Sequence, residues 1–319
     1  MKTILQKLLQ LGIVIIGGCS LLGYFGRFHR LLELANHFRL QYLLGATLVL
    51  ILLLALKQWR WSAVAAVFVV LNAVHVVPWF LPTGNVQAAM AGQRLKILQS
   101  NVKYNSTQYA NLIAYVKEEA PDIVTLQEVD QNWFENLNAL QASYPYFKFE
   151  AEATGSGLAL YSKIKLENIQ RIDLGLSWRP SIQADLKLDN TLVHLLTIHP
   201  PTPTEAPNYR DRNIQFAAVA QHLNSLSAPK ILIGDMNDTV WSTYHAQMLE
   251  QTQMRNARKG YGVLPSWPAW LFFRPLMIPI DQCLISSEIE VISIQTGKNI
   301  GSDHLPLVVE LVVPTQKGN

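Results

Sequence analysis

Three stretches near the start of the chain, residues 8–25 (LLQLGIVIIGGCSLLGYF), 40–56 (LQYLLGATLVLILLLAL) and 61–82 (WSAVAAVFVVLNAVHVVPWFLP), contain no Asp, Glu, Lys or Arg. At about 1.5 Å of helical rise per residue, runs of this length are matched to a hydrocarbon core roughly 30 Å thick. The middle run is apolar all round and lacks the one-sided stripe of a helix buried on a soluble core. Residues 1–82 therefore read as a membrane region of three transmembrane helices, with the bilayer itself as partner. Trp59, Trp61 and Trp79 fall near the expected helix ends, where aromatic belts form. Residues 83–93, entered through the turn Pro82-Thr83-Gly84-Asn85, are small and polar and read as a linker to a separate domain over 94–319.

Charge divides at the same place. Residues 1–93 hold seven basic residues and one acid, Glu33, whereas 94–319 hold 19 basic and 22 acidic residues. The net charge of +3 for the 319-residue chain thus describes neither part. A domain near −3 disfavours strong nonspecific binding to nucleic acid, which needs a basic face. Lys2, Lys7, Lys57 and Arg60, with no further positive charge until Arg94, favour an internal N-terminus and a domain outside the cytoplasm. Arg27, Arg30 and Arg39 argue the other way. The run ending in Gly17-Gly18-Cys19 resembles a bacterial lipoprotein signal. Because the apolar stretch continues past Cys19, a small-residue packing patch within an uncleaved helix is the plainer reading. Cys283 is the second cysteine, and one per region gives neither a disulfide within the domain nor metal-ligand spacing.

From residue 95 the pattern is that of an α/β domain. Strands are expected over 95–102, 122–129, 157–163, 181–188, 191–199, 230–237, 279–286, 290–296 and 305–313. Helices are expected over 107–119 and 208–226, with a further one after 129, and Asp189-Asn190 reads as a hairpin turn. Continuous apolar strands interleaved with helices imply layered sheets. No fixed-period repeat is visible.

Several of these strands end in polar groups just as the apolar run stops: Asn101, Glu128, His199, Asp235 with Asn237, and Asp303 with His304. Asp281 is expected inside a strand instead. One such end is ordinary; several converging kinds suggest a site on the rim of a sheet. Glu128 offers hard carboxylate oxygens of the kind that suit Mg²⁺. Asp235 and Asn237, two apart on an extended segment, are expected to project to one face.

The set SNV (100–102), LQEV (126–129), IHPPTP (198–203), GDMND (234–238), IDQ (280–282) and GSDHLPL (301–307) resembles the endonuclease/exonuclease/phosphatase, or DNase I-like, superfamily. The likeness covers 95–313 in the superfamily's order. It implies a four-layer α/β sandwich with two packed mixed β-sheets, here preceded by the three transmembrane helices. It also implies Mg²⁺, with Mn²⁺ as a substitute, held by Glu128 with help from Asn101 and with Asp303 as a further contact. His304 would face the phosphate with Asp281 on its other nitrogen, Asp235 would align or deprotonate water, and Asn237 and His199 would donate to the phosphate or leaving group. Arg179 in the SWRPS segment is a candidate substrate contact. Arg210 and Arg212 are weaker ones, for which a solvated helix start is the plainer reading. Gln282 departs from the His or Tyr often found after the superfamily's Asp. The aromatic loop 261–279 either faces the membrane beside the site or packs on the domain.

The resemblance thus implies a membrane-anchored phosphoester hydrolase, of phosphodiester type. A Mg-dependent nuclease acting on DNA or RNA and a catalytically silent membrane interaction protein stand as alternatives. Lipid head group, nucleic acid and small phosphodiester all fit as substrate, and nothing in the sequence names a protein partner. The HPPTP loop and the Arg179-Pro180-Ser181 segment most resemble multi-pass members from the bacterial inner membrane.

Overall fold

The computed structural model describes residues 2–82, 92–152, 155–227, 229–271 and 273–314. The expected linker lies outside them apart from residues 92 and 93, as does Phe272. The N-terminal region comprises α1 (Lys2–Leu22), α2 (Arg30–Leu34), α3 (Arg39–Ala55) and α4 (Trp59–Val76), with 3₁₀ turns at Gly23–Phe28, Ala35–Phe38 and Val77–Trp79. Three spans, Lys2–Phe28, Arg30–Ala55 and Trp59–Trp79, are long and apolar enough to cross a membrane. They are inside-out relative to a soluble bundle. Only a few side chains such as Ile13, Ala46, Leu53 and Ala65 are buried among them, while Leu11, Leu48, Ile51, Val67 and Val70 face outward. Gly17 is a packing point: a Cβ there would lie 2.3 Å from the Phe68 ring. Cys19 and Cys283 are both free.

The domain consists of two six-stranded sheets. The first runs β11 (Glu290–Thr296), β12 (Leu307–Val313), β1 (Gln93–Asn101), β2 (Ile123–Gln127), β4 (Leu158–Ser162), β3 (Tyr146–Glu150). The second runs β5 (Leu166–Ile172), β6 (Ser181–Leu188), β7 (Thr191–Ile198), β8 (Lys230–Asp235), β10 (Asp281–Ile285), β9 (Arg255–Asn256). Each is mixed, with one parallel pair at its centre: β1 with β2, and β7 with β8. Alternation along the strands makes the layers. Leu95 and Ile97 of β1 and Ile231 and Ile233 of β8 point into one core between the sheets. Leu98 packs outward on Leu112 and Val116 of α5 (Tyr109–Glu119), near α6 (Gln131–Asn136) and α7 (Asn138–Gln141). Leu232 packs outward with Phe216 and Val219 of α8 (Ala206–Ser225) and Met248 of α9 (Thr243–Thr252). The result is a four-layer α/β sandwich of DNase I-like form, preceded by three long apolar helices, as expected. The Asp189-Asn190 turn joins β6 to β7, with Asp189 in the left-handed region at φ 49°.

The helices do not simply tether this domain; they are docked on it. Trp79, expected in an aromatic belt, is instead buried with Val76, Val240, Trp241 and Val263. Its carbonyl accepts from the amides of Gly260 and Gly262 at 3.0 and 2.8 Å. The segment between α1 and α3 is docked as well. Arg30 donates to the Thr204 carbonyl at 2.7 Å, and Gln41 to the Pro275 and Met277 carbonyls, both at 2.9 Å. Arg212 is fully buried between Glu33 and Asp238, 3.2 Å from each. That overturns both expectations for Arg212, since it neither sits on a solvated helix start nor lines the cleft. Only Arg210, 74% exposed along its side chain, fits the solvated reading.

Candidate active site

Register alone brings the polar strand ends together. Asn101 is the last residue of β1 and pairs with Gln127, so Glu128 follows at the same rim. In the second sheet Ile198 pairs with Gly234 and Asp235 with Asp281, which places His199, Asp235 and Asp281 side by side. Asp281 is therefore the first residue of its strand, at an end like the others, and not inside it. Leu307 of β12 pairs with Gln99, and the preceding loop is tied back by Ser302 Oγ, which donates to the Asn101 carbonyl at 2.7 Å. The Ser302 hydroxyl accepts the His304 amide at 3.1 Å and so fixes the loop that carries the imidazole.

The side chains then converge. His304 Nδ1 donates to Asp281 Oδ2 at 2.8 Å, while Gln99 Nε2 donates to the other oxygen at 2.7 Å. The Nε2 atoms of His304 and His199 lie 3.7 and 3.6 Å from Asp235 Oδ2. Asn101 Nδ2 bridges Asp235 and Glu128, donating at 3.0 and 2.9 Å. Glu128 turns its carboxylate inward through a left-handed backbone, φ 62°. Such strain in a non-glycine residue costs of order 1–3 kcal/mol and clusters at functional sites. Asn237 also differs from expectation. It follows the end of β8 with φ 48°, so a turn and not strand alternation brings it beside Asp235. Its amide donates to Asp235 Oδ1 at 2.9 Å, and its side chain is held by the Pro200 carbonyl and Thr202 Oγ1.

Burial sets the electrostatics. Burial pushes the Asp281 carboxyl up, but His304 outweighs it, with hydrogen bonds from Ser266 and Gln99, and holds it below its ordinary value. Burial pulls the His304 imidazole down, yet Asp281 and then Asp235 overcome this and push it up to about 10. Asp235 is pushed up to about 7 by burial, against the pull of His304. His199 is driven well below the usual imidazole value by burial, then by Arg179 and His304. The site thus pairs one cationic and one neutral imidazole across a shared carboxylate.

A cavity of about 450 Å³ opens over this rim, lined by Glu128, Asp235, Asn237, Asp303 and His304 among others. Arg179 stands at its flank: Nη1 donates to His199 Nδ1 at 3.3 Å, and the guanidinium stacks on Trp178, 5.0 Å from the ring centroid. Gln282 points away from the site, donating to the Asp238 carbonyl at 2.6 Å. Residues that sequence reasoning passed over also belong here. Gln99 orients Asp281, and its one signal was a polar residue within an apolar strand. Leu34, His37 and Phe38 line the cavity from the segment between α1 and α3. Their neighbour Glu33 carried a signal of its own, as the one acid in the first 93 residues. Glu33, His37 and Asp238 form a second buried group whose positive charge Arg212 already supplies.

Gly234 is required by the same register. A Cβ there would sit 2.1 Å from the Ile198 carbonyl oxygen, a backbone atom that cannot give way cheaply. Gly234→Ala is expected to cost about 1–3 kcal/mol in thermal unfolding. Turnover should fall with it, because both flanking strands carry site residues.

The sequence model of the Endonuclease/Exonuclease/phosphatase family matches residues 85–304. No curated protein matches the chain. Among solved structures the fold is similar to D. rerio TDP2 complexed with single strand DNA product, at 17% identity and TM-score 0.58, over 69% of this chain and 99% of that one. It is also similar to an endonuclease/exonuclease/phosphatase from Bacteroides vulgatus, at 16% identity and TM-score 0.58, over 69% and 99%. The human Nocturnin catalytic domain with bound sulfate anion aligns at 18% identity and TM-score 0.54, over 68% and 94%.

Proposed function

The chain belongs to the endonuclease/exonuclease/phosphatase family, and on that premise we propose that it is a membrane-anchored, divalent-metal-dependent phosphoester hydrolase acting on phosphodiesters. One observation carries this reading. Asn101, Glu128, His199, Asp235, Asn237, Asp281 and His304, drawn from two sheets, converge on one rim, where Glu128, Asp235, Asn237 and His304 line a single cavity and Asp281 is hydrogen-bonded to His304 at 2.8 Å behind it.

The donor set fits a hard cation. Glu128 and Asp303 present carboxylates to the cavity beside Asn101, a combination suited to Mg²⁺ or Mn²⁺. Asp281, in contrast, has both oxygens engaged by His304 and Gln99, so the Asp235–Asp281–His304 group works as an acid–base set and not as a cation cage. When bound, the metal supplies Lewis-acid neutralisation of the phosphate charge. His304 Nε2–H is free to donate to a phosphate oxygen while Asp281 holds the ring, and His199 offers a second donor. Asp235, between the two imidazoles, is placed to accept the proton of the attacking water. Asn237 fixes Asp235 through its amide and keeps one side-chain N–H for the phosphate. Arg179 holds His199 in its tautomer from behind.

The ends of the helices that dock on the domain, residues 26–41 and 75–80, lie opposite Lys2, Lys57 and Arg60. On the domain side Arg30 is taken up by the Thr204 carbonyl, and Arg39 by the Ser20 carbonyl at 2.9 Å and Asn36 at 2.5 Å. With those two positives in structural use, the remaining bias supports a domain on the outer face of a bacterial inner membrane. Protease protection of the C-terminus in spheroplasts tests this, and a protected domain would reverse the orientation.

Turnover of bis-p-nitrophenyl phosphate by the full chain in nanodiscs tests the activity. EDTA is expected to abolish it and Mg²⁺ or Mn²⁺ to restore it. Glu128→Gln should raise the half-saturating metal concentration beyond the about 10–100-fold that changes behind a ligand cost. Turnover indifferent to EDTA would sink the metal-dependent reading. A nuclease reading draws on the likeness of fold to the TDP2 complex with single strand DNA product, and nicking of supercoiled plasmid distinguishes it.

A further inference from the structure

The cavity over the catalytic rim is only half made by the catalytic domain's polar strand ends. Leu34 and Phe38, from the segment between α1 and α3, form one apolar part of its wall, and Trp267, Ile278 and Ile280 form another. No Lys or Arg lines it among the described residues. A groove that follows a nucleic-acid backbone needs cations at each phosphate it passes. This cleft instead offers one charged end and two apolar parts of its wall.

The apolar surface continues outward from the cleft. Leu31 lies one turn before Leu34 on the docked segment, and the 3₁₀ turn carries the chain on to Phe38 at the cleft. Leu31 and Phe38 are exposed, and so are Trp270, Phe273 and Leu276 of the loop leading to β10. That loop is pinned to the start of α3 by Gln41, so both apolar parts of the wall end where the long apolar helices begin. The earlier alternatives for loop 261–279 therefore combine, with Trp267 in the cleft and Trp270 and Phe273 turned outward.

The geometry points to an amphiphilic substrate: a phosphoester of a membrane lipid, its phosphate at Glu128, Asp235 and His304 and its apolar part against Phe38 and Trp267. This rests on the hydrolase reading above and names the substrate class of that site. Hydrolysis adds water across one P–O bond. The phosphate keeps the attacking oxygen, and the leaving oxygen takes a proton, so no further reactant is needed.

The test uses the full chain in nanodiscs with Mg²⁺. Three substrates are compared: phosphatidylglycerol and its short-chain homologues, bis-p-nitrophenyl phosphate, and plasmid with single-stranded DNA. The expected result is that, among short-chain homologues dissolved as monomers, kcat/KM rises with acyl length by up to about fourfold for each methylene that enters the cleft from water, the factor equivalent to its burial. Phe38→Ser and Trp267→Ala should each lower the ratio of lipid to bis-p-nitrophenyl phosphate turnover at least tenfold, a ratio that loss of folded protein leaves unmoved. Turnover of bis-p-nitrophenyl phosphate with no acyl-length dependence, or with DNA as the better substrate, would overturn the inference and leave the hydrolase standing. Failure on all three substrates would remove the hydrolase reading itself.

Discussion

His304→Ala is expected to lower kcat for bis-p-nitrophenyl phosphate by about 10²–10⁴-fold, the range that a positioned proton donor or acceptor supplies. The protein should remain folded. The substitution does remove a buried cation beside Asp281, so thermal unfolding must be measured alongside. Asp281→Asn tests the cause. Asp281 reaches the cavity only through His304, so its loss should be large in the native enzyme and small in the His304→Ala background. Additive effects in that cycle would show that Asp281 acts by some other route. Equal activity of His304→Ala and the native enzyme would remove His304 from the chemistry altogether.

The second large effect is one of stability. Arg212→Ala is expected to destabilise the folded chain by about 3–5 kcal/mol, because Glu33 and Asp238 would remain buried without their counter-charge. Burial pulls the Arg212 guanidinium down, but Asp238 and Glu33 outweigh it and hold it charged. Tyr209, Phe216 and Tyr244 pack round it with ring centroids 5.0–5.5 Å from the guanidinium carbon. Differential scanning calorimetry in detergent gives the measurement, with Arg210→Ala as a surface control expected within about 0.5 kcal/mol of the native chain. Replacing Arg212, Glu33 and Asp238 together by apolar residues of similar size should recover most of the loss. An unchanged melting temperature for Arg212→Ala would show that the cluster does not hold helices and domain together.

Where the chain was legible, a local rule and the tertiary structure agreed. The three apolar runs needed only length and absence of charge, and β1, β2, β7 and β8 announced themselves as continuous apolar runs ending in a polar residue. Of the edge strands, β11 was legible at 290–296, whereas β3, β5 and β9 were not. β3 and β5 are half-exposed and polar on one side, as edges must be to resist pairing with other chains, so Tyr146–Glu150 and Leu166–Ile172 carry no comparable signal. The six-strand pattern, used twice with a parallel pair at each centre, leaves no sequence repeat because the same positions are filled by different apolar residues. Within the site, Asn101, Glu128, Asp235 and His304 stood at visible strand ends or motifs. Asn237 was found for the wrong reason, since nothing in Gly-Asp-Met-Asn-Asp distinguishes a continuing strand from a left-handed turn. Arg212 was misread because its partner Glu33 is 179 residues away, and helix periodicity says nothing about what covers a given turn.

If the helices span a bilayer and the substrate is one of its lipids, as proposed, the double docking of the helices has a consequence for how enzyme and substrate meet. Held at Trp79 and again at Glu33, the domain cannot swing on a single tether, and the mouth of the cleft stays at one height above the bilayer. Encounter then takes place in a plane. The rate follows the number of substrate molecules per unit area and not their amount in the tube. Diluting the substrate with inert lipid at constant bulk concentration should slow the reaction in proportion.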